Sequence, residues 1–325
     1  MNGQLVISLD FEKLWGVFDS VSCKNYESNL LAVDEVIDRL LSIADSYNVK
    51  LTFSTVGLLF NETKSDFKNN LPNPLPSYTE PKHSPYQLID SIGDNENKDS
   101  LHYAYQALKK IKANKNHEIG THTYCHYYCL EEGQTIEQFE ADLKMAIKVG
   151  KDFNTDIKSI VFPRNQVNNK YLDICVKNGI LSYRGYENHE IYKPKPYKES
   201  KSKLHRALRL SDAYINITGD HIYDLNSLAN NNIVNIPSSY FLRPYHRKLS
   251  FIEPLKLRRI IRGMTKAAQS NKLYHLWFHP HNFGSNMEEN FKNFENILEI
   301  YSKLQSRYNF ESKTMTQLAI ELLNK

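Results

Sequence analysis

Two carboxylates stand close together near the start of the chain, in the stretch ISLDFEKLWG, where Asp10 and Glu12 flank Phe11. Residues 4–9 have the apolar run of a strand, and side chains along a strand alternate between faces. Asp10 and Glu12 therefore share one side while Leu9 and Phe11 share the other. At the end of a strand such a pair can divide a task, one carboxylate holding a metal and the other moving protons. Equally, one can cap the strand end while the other is solvated. A second cluster lies in HEIGTHTYCHYYC, where His122 and His126 are four residues apart. In a helical turn that spacing puts both imidazoles on one side, able to converge on one ion. Two histidines and an acidic residue form the ligand set of a catalytic zinc with an open position. A third cluster, HLWFHPHNFG, places His279 and His281 just past another strand-like run, while His275 sits inside it as an ordinary packed histidine. Three separate strand ends thus carry carboxylates or imidazoles.

The elements that must position them alternate between short apolar strands and amphipathic helices. Strands are predicted at 4–9, 49–56, 117–123, 159–162, 180–183, 232–237 and 273–278. Helices are predicted at about 29–47, 136–150, 169–177, 253–269, 287–305 and 315–323. Leu30, Val33, Ile37, Leu40, Leu41 and Ala44 give the first helix its apolar face. About seven strands separated by helices point to a parallel α/β fold and a barrel, with chemistry at the C-terminal strand ends. Residues 61–100 and 185–231 break the rhythm with Asn, Pro, Ser, Tyr and Lys. Both read as long loops inserted into one domain spanning 1–325, placed like lids or substrate-binding loops.

Composition narrows the field. The chain has 325 residues, 41 basic and 37 acidic, for a net charge of +4. That balance does not point to nucleic acid. No apolar run reaches the length of a membrane helix, and the N-terminus has no signal-peptide pattern, so a cytoplasmic protein is expected. Cys23, Cys125, Cys129 and Cys175 form no C-x-x-C pair and are expected as reduced thiols.

On these segments the chain resembles the polysaccharide deacetylase family, the NodB-homology group or carbohydrate esterase family 4. SLDFE stands where the family has T-F-D-D-G, and HTYCH fits H-[ST]-x-x-H. VFPRNQ stands for R-x-P-[YF], and LWFHPH for the late Leu-x-His motif. The subgroup it resembles most occurs among enzymes of surface-polysaccharide biosynthesis. The resemblance implies a distorted (β/α)7 barrel of the NodB type and a divalent metal, with zinc the expected ion. It implies Asp10 as catalytic base, His122 and His126 as metal ligands, and His279 as general acid, with His281 as the rival. The family's second Asp falls on Phe11, so Glu12, on the inner face of the strand, is the third ligand implied. The family's third-motif arginine falls on Val161, and Arg164 is expected to steady Asp10 from a shifted position. Arg184 and Glu187 stand near where the family tunes the acid or binds substrate.

The function implied is removal of an N-acetyl group from an amino sugar in a cytoplasmic precursor of surface polysaccharide. The substrate would be a small sugar nucleotide or a lipid-linked saccharide, and Arg259, Arg262, Lys266 and the stretch RPYHRK at 243–248 could meet a diphosphate or an anionic lipid at the membrane face. A solvated helix face is the other reading of those cations. Two further readings stay open: a deformylase or ureide amidohydrolase on the same fold, and a carbohydrate-binding relative without turnover.

Overall fold

A computed structural model describes residues 1–19, 23–200, 202–230 and 232–324, apart from the side chains of residues 23–25 and 200. Its strands are β1 (Gln4–Phe11), β2 (Thr52–Thr55), β3 (Glu118–Thr121), β4 (Ser159–Ile160), β5 (Ser182–Tyr183), β6 (Tyr223–Asp224), β7 (Ala229–Asn230), β8 (Ile233–Asn235), β9 (Tyr240–Phe241), β10 (Lys272–Phe278) and β11 (Glu311–Lys313). Parallel pairing runs β9-β10-β1-β2-β3-β4-β5-β8, with β6 antiparallel to β10 and β7 antiparallel to β8. β11 pairs with β1 at Gln4–Val6, below the point where β2 takes over at Ser8.

The sheet curls, and one stretch of chain joins its two ends. Ile236 and Ser238 donate backbone N–H groups to Tyr183 and Gly185 on the β5 side, while Ser239 and Leu242 donate to His275 and Trp277 of β10. A run of seven residues thereby bridges the gap, and the result is the distorted α/β barrel that the strand count predicts.

The pleat sorts side chains into an inner and an outer set. Leu5, Ile7, Leu9 and Phe11 face outward into the main apolar cluster, which the helices Val33–Ser46, Ile136–Asp152 and Met287–Tyr308 complete. Val6, Val161, Val234, Leu273 and Met315 belong to a second apolar cluster, which forms the barrel floor. Above it on β1 and β10 come Ser8 and His275, then Asp10 and Trp277, then Glu12 and His279. Polarity on the inner face thus rises toward the C-terminal ends of the strands. That gradient places the chemistry at the barrel mouth.

Several predicted elements differ. The helix expected at 29–47 is two helices, Cys23–Leu31 and Val33–Ser46. A helix at Tyr105–Ala113 was not anticipated, and neither was Lys203–Ile215 inside the stretch read as loop at 185–231. Lys203–Ile215 buries only Asp212 and Ala213 and leaves Leu204, Leu208 and Ile215 exposed, so its apolar residues do not mark a core-facing side. The stretch 61–100 also holds a helix, Lys64–Asn69, capped by Thr63 and Asp66 in a reciprocal box.

Candidate metal centre

The residues Glu12, His122 and His126 meet at the barrel mouth, all buried. Oε2 of Glu12 lies 3.4 Å from Nε2 of His122 and 3.2 Å from Nε2 of His126. Ligand atoms on a tetrahedral ion with bonds of about 2.0–2.1 Å stand about 3.3 Å apart, so these spacings fit a four-coordinate cation. The donor chemistry fits as well. Nδ1–H of His122 donates to the Val161 carbonyl at 2.8 Å, which leaves a lone pair on Nε2 facing the carboxylate. His126 Nδ1 is engaged by the Tyr128 hydroxyl at 3.2 Å. Burial pushes the imidazole of His126 down, outweighing the pull of Glu12. Burial would raise the Glu12 carboxyl, but His279, His122 and His126 hold it well below the usual carboxylate range. A carboxylate at Glu12 and a lowered imidazole at His126 favour the protonation state a metal requires. Gly16 allows the approach: a Cβ there would sit 1.9 Å from the carboxyl carbon of Glu12.

The histidine pair is not on a helical turn, as the spacing suggested. It lies on a loop with left-handed backbone at Thr123 (φ 63°) and His126 (φ 59°). The loop is held from outside. Asp142, buried on the helix Ile136–Asp152, accepts the N–H groups of Tyr124 at 2.7 Å and Cys125 at 3.0 Å. Gly57 and Leu58 donate to the carbonyls of Thr123 and Tyr124. Burial raises the Asp142 carboxyl to about 6 despite these bonds.

Asp10 has a partner that corrects one expectation. Arg184, fully buried, donates to both oxygens of Asp10 at 2.7 Å and to Ser8 Oγ at 3.0 Å. Burial works to raise the Asp10 carboxyl, and Arg184, His122 and His279 together hold it below its ordinary value. Arg164, expected in that role, donates instead to the two oxygens of buried Asp19 at 2.8 and 2.6 Å. The reason is local. Arg164 and Asn165 are both left-handed, with φ of 55° and 52°, and the turn sends Arg164 over the rings of Tyr128 and Tyr197. Asn165 turns the other way, and its Oδ1 accepts from Arg184. The network continues below. Nδ1–H of His275 donates to the Ile236 carbonyl at 2.9 Å, so the Ser8 hydroxyl, 2.9 Å from Nε2, donates to the ring. Ser8 and Asn165 were missed in the sequence; Ser8 stands two residues before Asp10 on the same pleat face.

Nε2 of His279 stands 3.7 Å from Asp10 and 3.7 Å from Glu12, and His279 lines the open cleft. His281 stacks behind it at 5.0 Å, outside the cleft lining, and burial pushes its ring down to about 3. Glu187 lines the cleft, and burial pushes its carboxyl up. The cleft measures about 720 Å³, with Trp277 and Phe241 as its apolar side.

The cations of the helix Glu253–Gln269 have another use than the one considered. Arg259 pairs with Asp212 at 2.8 Å, while Arg262 and Lys266 pair with Asp220. They fasten the stretch around Lys203–Ile215 to the barrel, with Arg262 and Lys266 still half-exposed. No helix among the described residues is long and apolar enough to cross a membrane.

No protein-family profile matches the chain, and no curated protein matches it by sequence. Solved structures do match. A Mycobacterium smegmatis protein named as a polysaccharide deacetylase superposes with a TM-score of 0.62 at 13% identity, over 99% of this chain and 90% of that one. A Pseudomonas aeruginosa PAO1 protein, likewise named as a polysaccharide deacetylase, gives 0.56 at 11% identity, over 99% and 91%. The Puue allantoinase gives 0.58 at 11% identity, over 99% and 90%. The fold is therefore the NodB-like deacetylase barrel that the motifs imply.

Proposed function

We propose that the chain is a metal-dependent N-deacetylase acting on an amino sugar in a precursor of surface polysaccharide, before the precursor leaves the cell. The observation that carries this reading is the convergence of Glu12, His122 and His126 with two further groups, Asp10 and His279, that can move protons. A bound divalent cation would supply Lewis acidity toward the acetamide carbonyl and a water of pKa about 7. Two nitrogens and one oxygen at tetrahedral spacing support zinc as that cation.

The chain's own residues would then divide the proton work. Asp10, kept anionic by Arg184, takes the proton of the attacking water. His279 gives a proton from Nε2 to the departing amine, as an imidazole can near neutral pH. Its exposure to the cleft favours it over His281, which is walled off. Trp277 and Phe241 offer the sugar an apolar face. No covalent nucleophile is needed; Cys125 and Cys129 are buried, and burial pushes both thiols far up.

The fold shared with an allantoinase favours a second reading, a ureide amidohydrolase using the same groups. A carbohydrate-binding relative without turnover is a third reading; Glu12 beside both imidazoles and Arg184 on Asp10 weigh against it. The test is elemental analysis of protein purified without chelators, followed by assay of acetate, formate and ureide-nitrogen release. Metal bound at one equivalent, and acetate from N-acetylated sugars, support the proposal. If His126→Ala retains both metal and wild-type turnover, the proposal fails.

A further inference from the structure

The cleft that holds Glu12 and His279 also carries an array of cations. Lys195, Lys203, Arg206 and Arg209 line it from the segment after β5, and Arg243 lines it from just beyond β9. Among the described residues none of these five has a carboxylate oxygen within 4.0 Å of its charged group. Their neighbours do. Lys198 pairs with Glu80, Arg164 with Asp19, Arg259 with Asp212, and Arg262 and Lys266 with Asp220. The chain thus neutralises the cations that fasten this segment and leaves unneutralised those that face the cleft.

The carboxylates of the cleft do not complete the balance. Asp10 is taken by Arg184, Glu12 is turned to the two imidazoles, and Glu187, which acts on Arg209, is one carboxylate against five cations. The array is also built. Lys203, Arg206 and Arg209 recur every three residues on the helix Lys203–Ile215, which Ser202 caps by accepting the His205 N–H. The other side of that helix is anchored. Asp212, fully buried, accepts from the Tyr192 hydroxyl at 2.5 Å and the Thr218 N–H at 2.8 Å, and pairs with Arg259. Arg209 is fixed further by donating from Nε to the Ile191 carbonyl at 2.5 Å. Five like charges gathered at one cleft raise the local concentration of anions and repel one another until an anion arrives.

We infer that the substrate carries a phosphate or diphosphate beside the N-acyl sugar, held by this cationic wall while the amide reaches Glu12, His122 and His126. Arginine forks suit phosphate oxygens, and lysines add point charge. A nucleotide sugar and a lipid diphosphate sugar share that chemistry. The inference rests on the deacetylase reading for the sugar, but the anion site is tested separately.

Inorganic pyrophosphate titrated into the full chain by calorimetry reads the wall directly, and the same titration into His126→Ala separates the wall from anion binding through a bound cation. Binding is expected in both proteins. It should weaken about tenfold or more in Arg206→Ala/Arg243→Ala and fall with added salt. Arg262→Ala, whose cation is already paired with Asp220, should keep the affinity. No pyrophosphate binding by the unaltered chain, or equal binding by the double variant, overturns the site. Turnover then separates the sources: a uridine diphosphate N-acetylhexosamine, a short-chain polyprenyl diphosphate N-acetylhexosamine and the uncharged N-acetylhexosamine are compared by kcat/KM. Preference for either diphosphate supports the inference, and equal use of the uncharged sugar overturns the substrate class. Pyrophosphate binding without acetate release from any of the three leaves the anion site standing and removes the deacetylase reading.

Discussion

Replacing Arg184 with methionine isolates the contact on which the base depends. The side chain is fully buried, grips Asp10 through two 2.7 Å bonds, and lies 4.0 Å from the ring of Trp277. Methionine fills much of the volume and leaves the buried carboxylate without its fork. Breaking a buried pair from one side costs about 3–5 kcal/mol. For a chain of this size, an unfolding entropy of about 2.1 cal/mol/K per residue turns that into a Tm lower by roughly 4–8 °C. The pH dependence is more telling than the size. In the unaltered protein the folded pKa of Asp10 lies below the unfolded value of about 3.9, so its stabilisation is present above that value and is lost as pH falls through the folded one. Without Arg184, burial, already the largest cause, is opposed only by His122 and His279, and the folded pKa is expected to rise above the unfolded one. The variant's deficit should then be largest near pH 7.5 and shrink toward pH 5. Urea denaturation at both pH values measures it. In the proposed acetate-release assay, the acid limb of kcat/KM should move to higher pH. A deficit equal at both pH values, or an acid limb shifted by Arg164→Met and not by Arg184→Met, would refute the reasoning.

Four other substitutions probe the surrounding architecture. Glu12→Gln and His126→Ala should each lower bound metal at least tenfold by elemental analysis, since a three-ligand site loses a charged or a nitrogen donor; unchanged stoichiometry would place the ion elsewhere. Asp142→Asn removes a carboxyl raised to about 6, so the stability that the unaltered protein gains as pH falls from about 6 to about 4, of order 2–3 kcal/mol, should be missing from the variant's urea curves. Phe11→Asp, which puts an aspartate where the deacetylase motif that the chain resembles has one, should lower stability by several kcal/mol without raising metal affinity, because residue 11 faces the apolar cluster beside Phe53. Tighter metal binding by that variant would mean that the pleat assignment is wrong.

What the sequence disclosed and what it hid follow a physical division. Alternation along residues 5–12 is local, and it placed Asp10 and Glu12 on one face correctly. The spacing of His122 and His126 was visible, but their backbone was not, because the loop takes its left-handed turns from Asp142, sixteen residues beyond His126, and from the N–H groups of Gly57 and Leu58. The partner of Asp10 was misassigned for a similar reason. Arg164 follows the proline of the expected motif, yet backbone dihedrals at residues 164 and 165 decide which side chain points inward. Lys203–Ile215 escaped notice because ion pairs dock it, and apolar periodicity carries no trace of Asp212 meeting Arg259. Short strands such as β11 depend on pairing with residues roughly three hundred positions away.

The two departures from the motif that the chain resembles compensate within one geometry. Moving the proposed ligand carboxylate from residue 11 to residue 12 would fail on a flat count of positions, but residue 11 faces the helices and residue 12 faces the barrel mouth. Glutamate past the strand end, packed on Gly16, reaches both imidazoles. Moving the arginine from the end of β4 to just past β5 brings the guanidinium in from the neighbouring strand, where it crosses the barrel to Asp10 and Ser8 on β1. Val161 then fills the vacated position as part of the apolar floor and offers its carbonyl to His122. Each change keeps a charge of the same sign on the same inner face. Losing Arg184 would leave the buried Asp10 carboxylate without its fork at a cost of several kcal/mol.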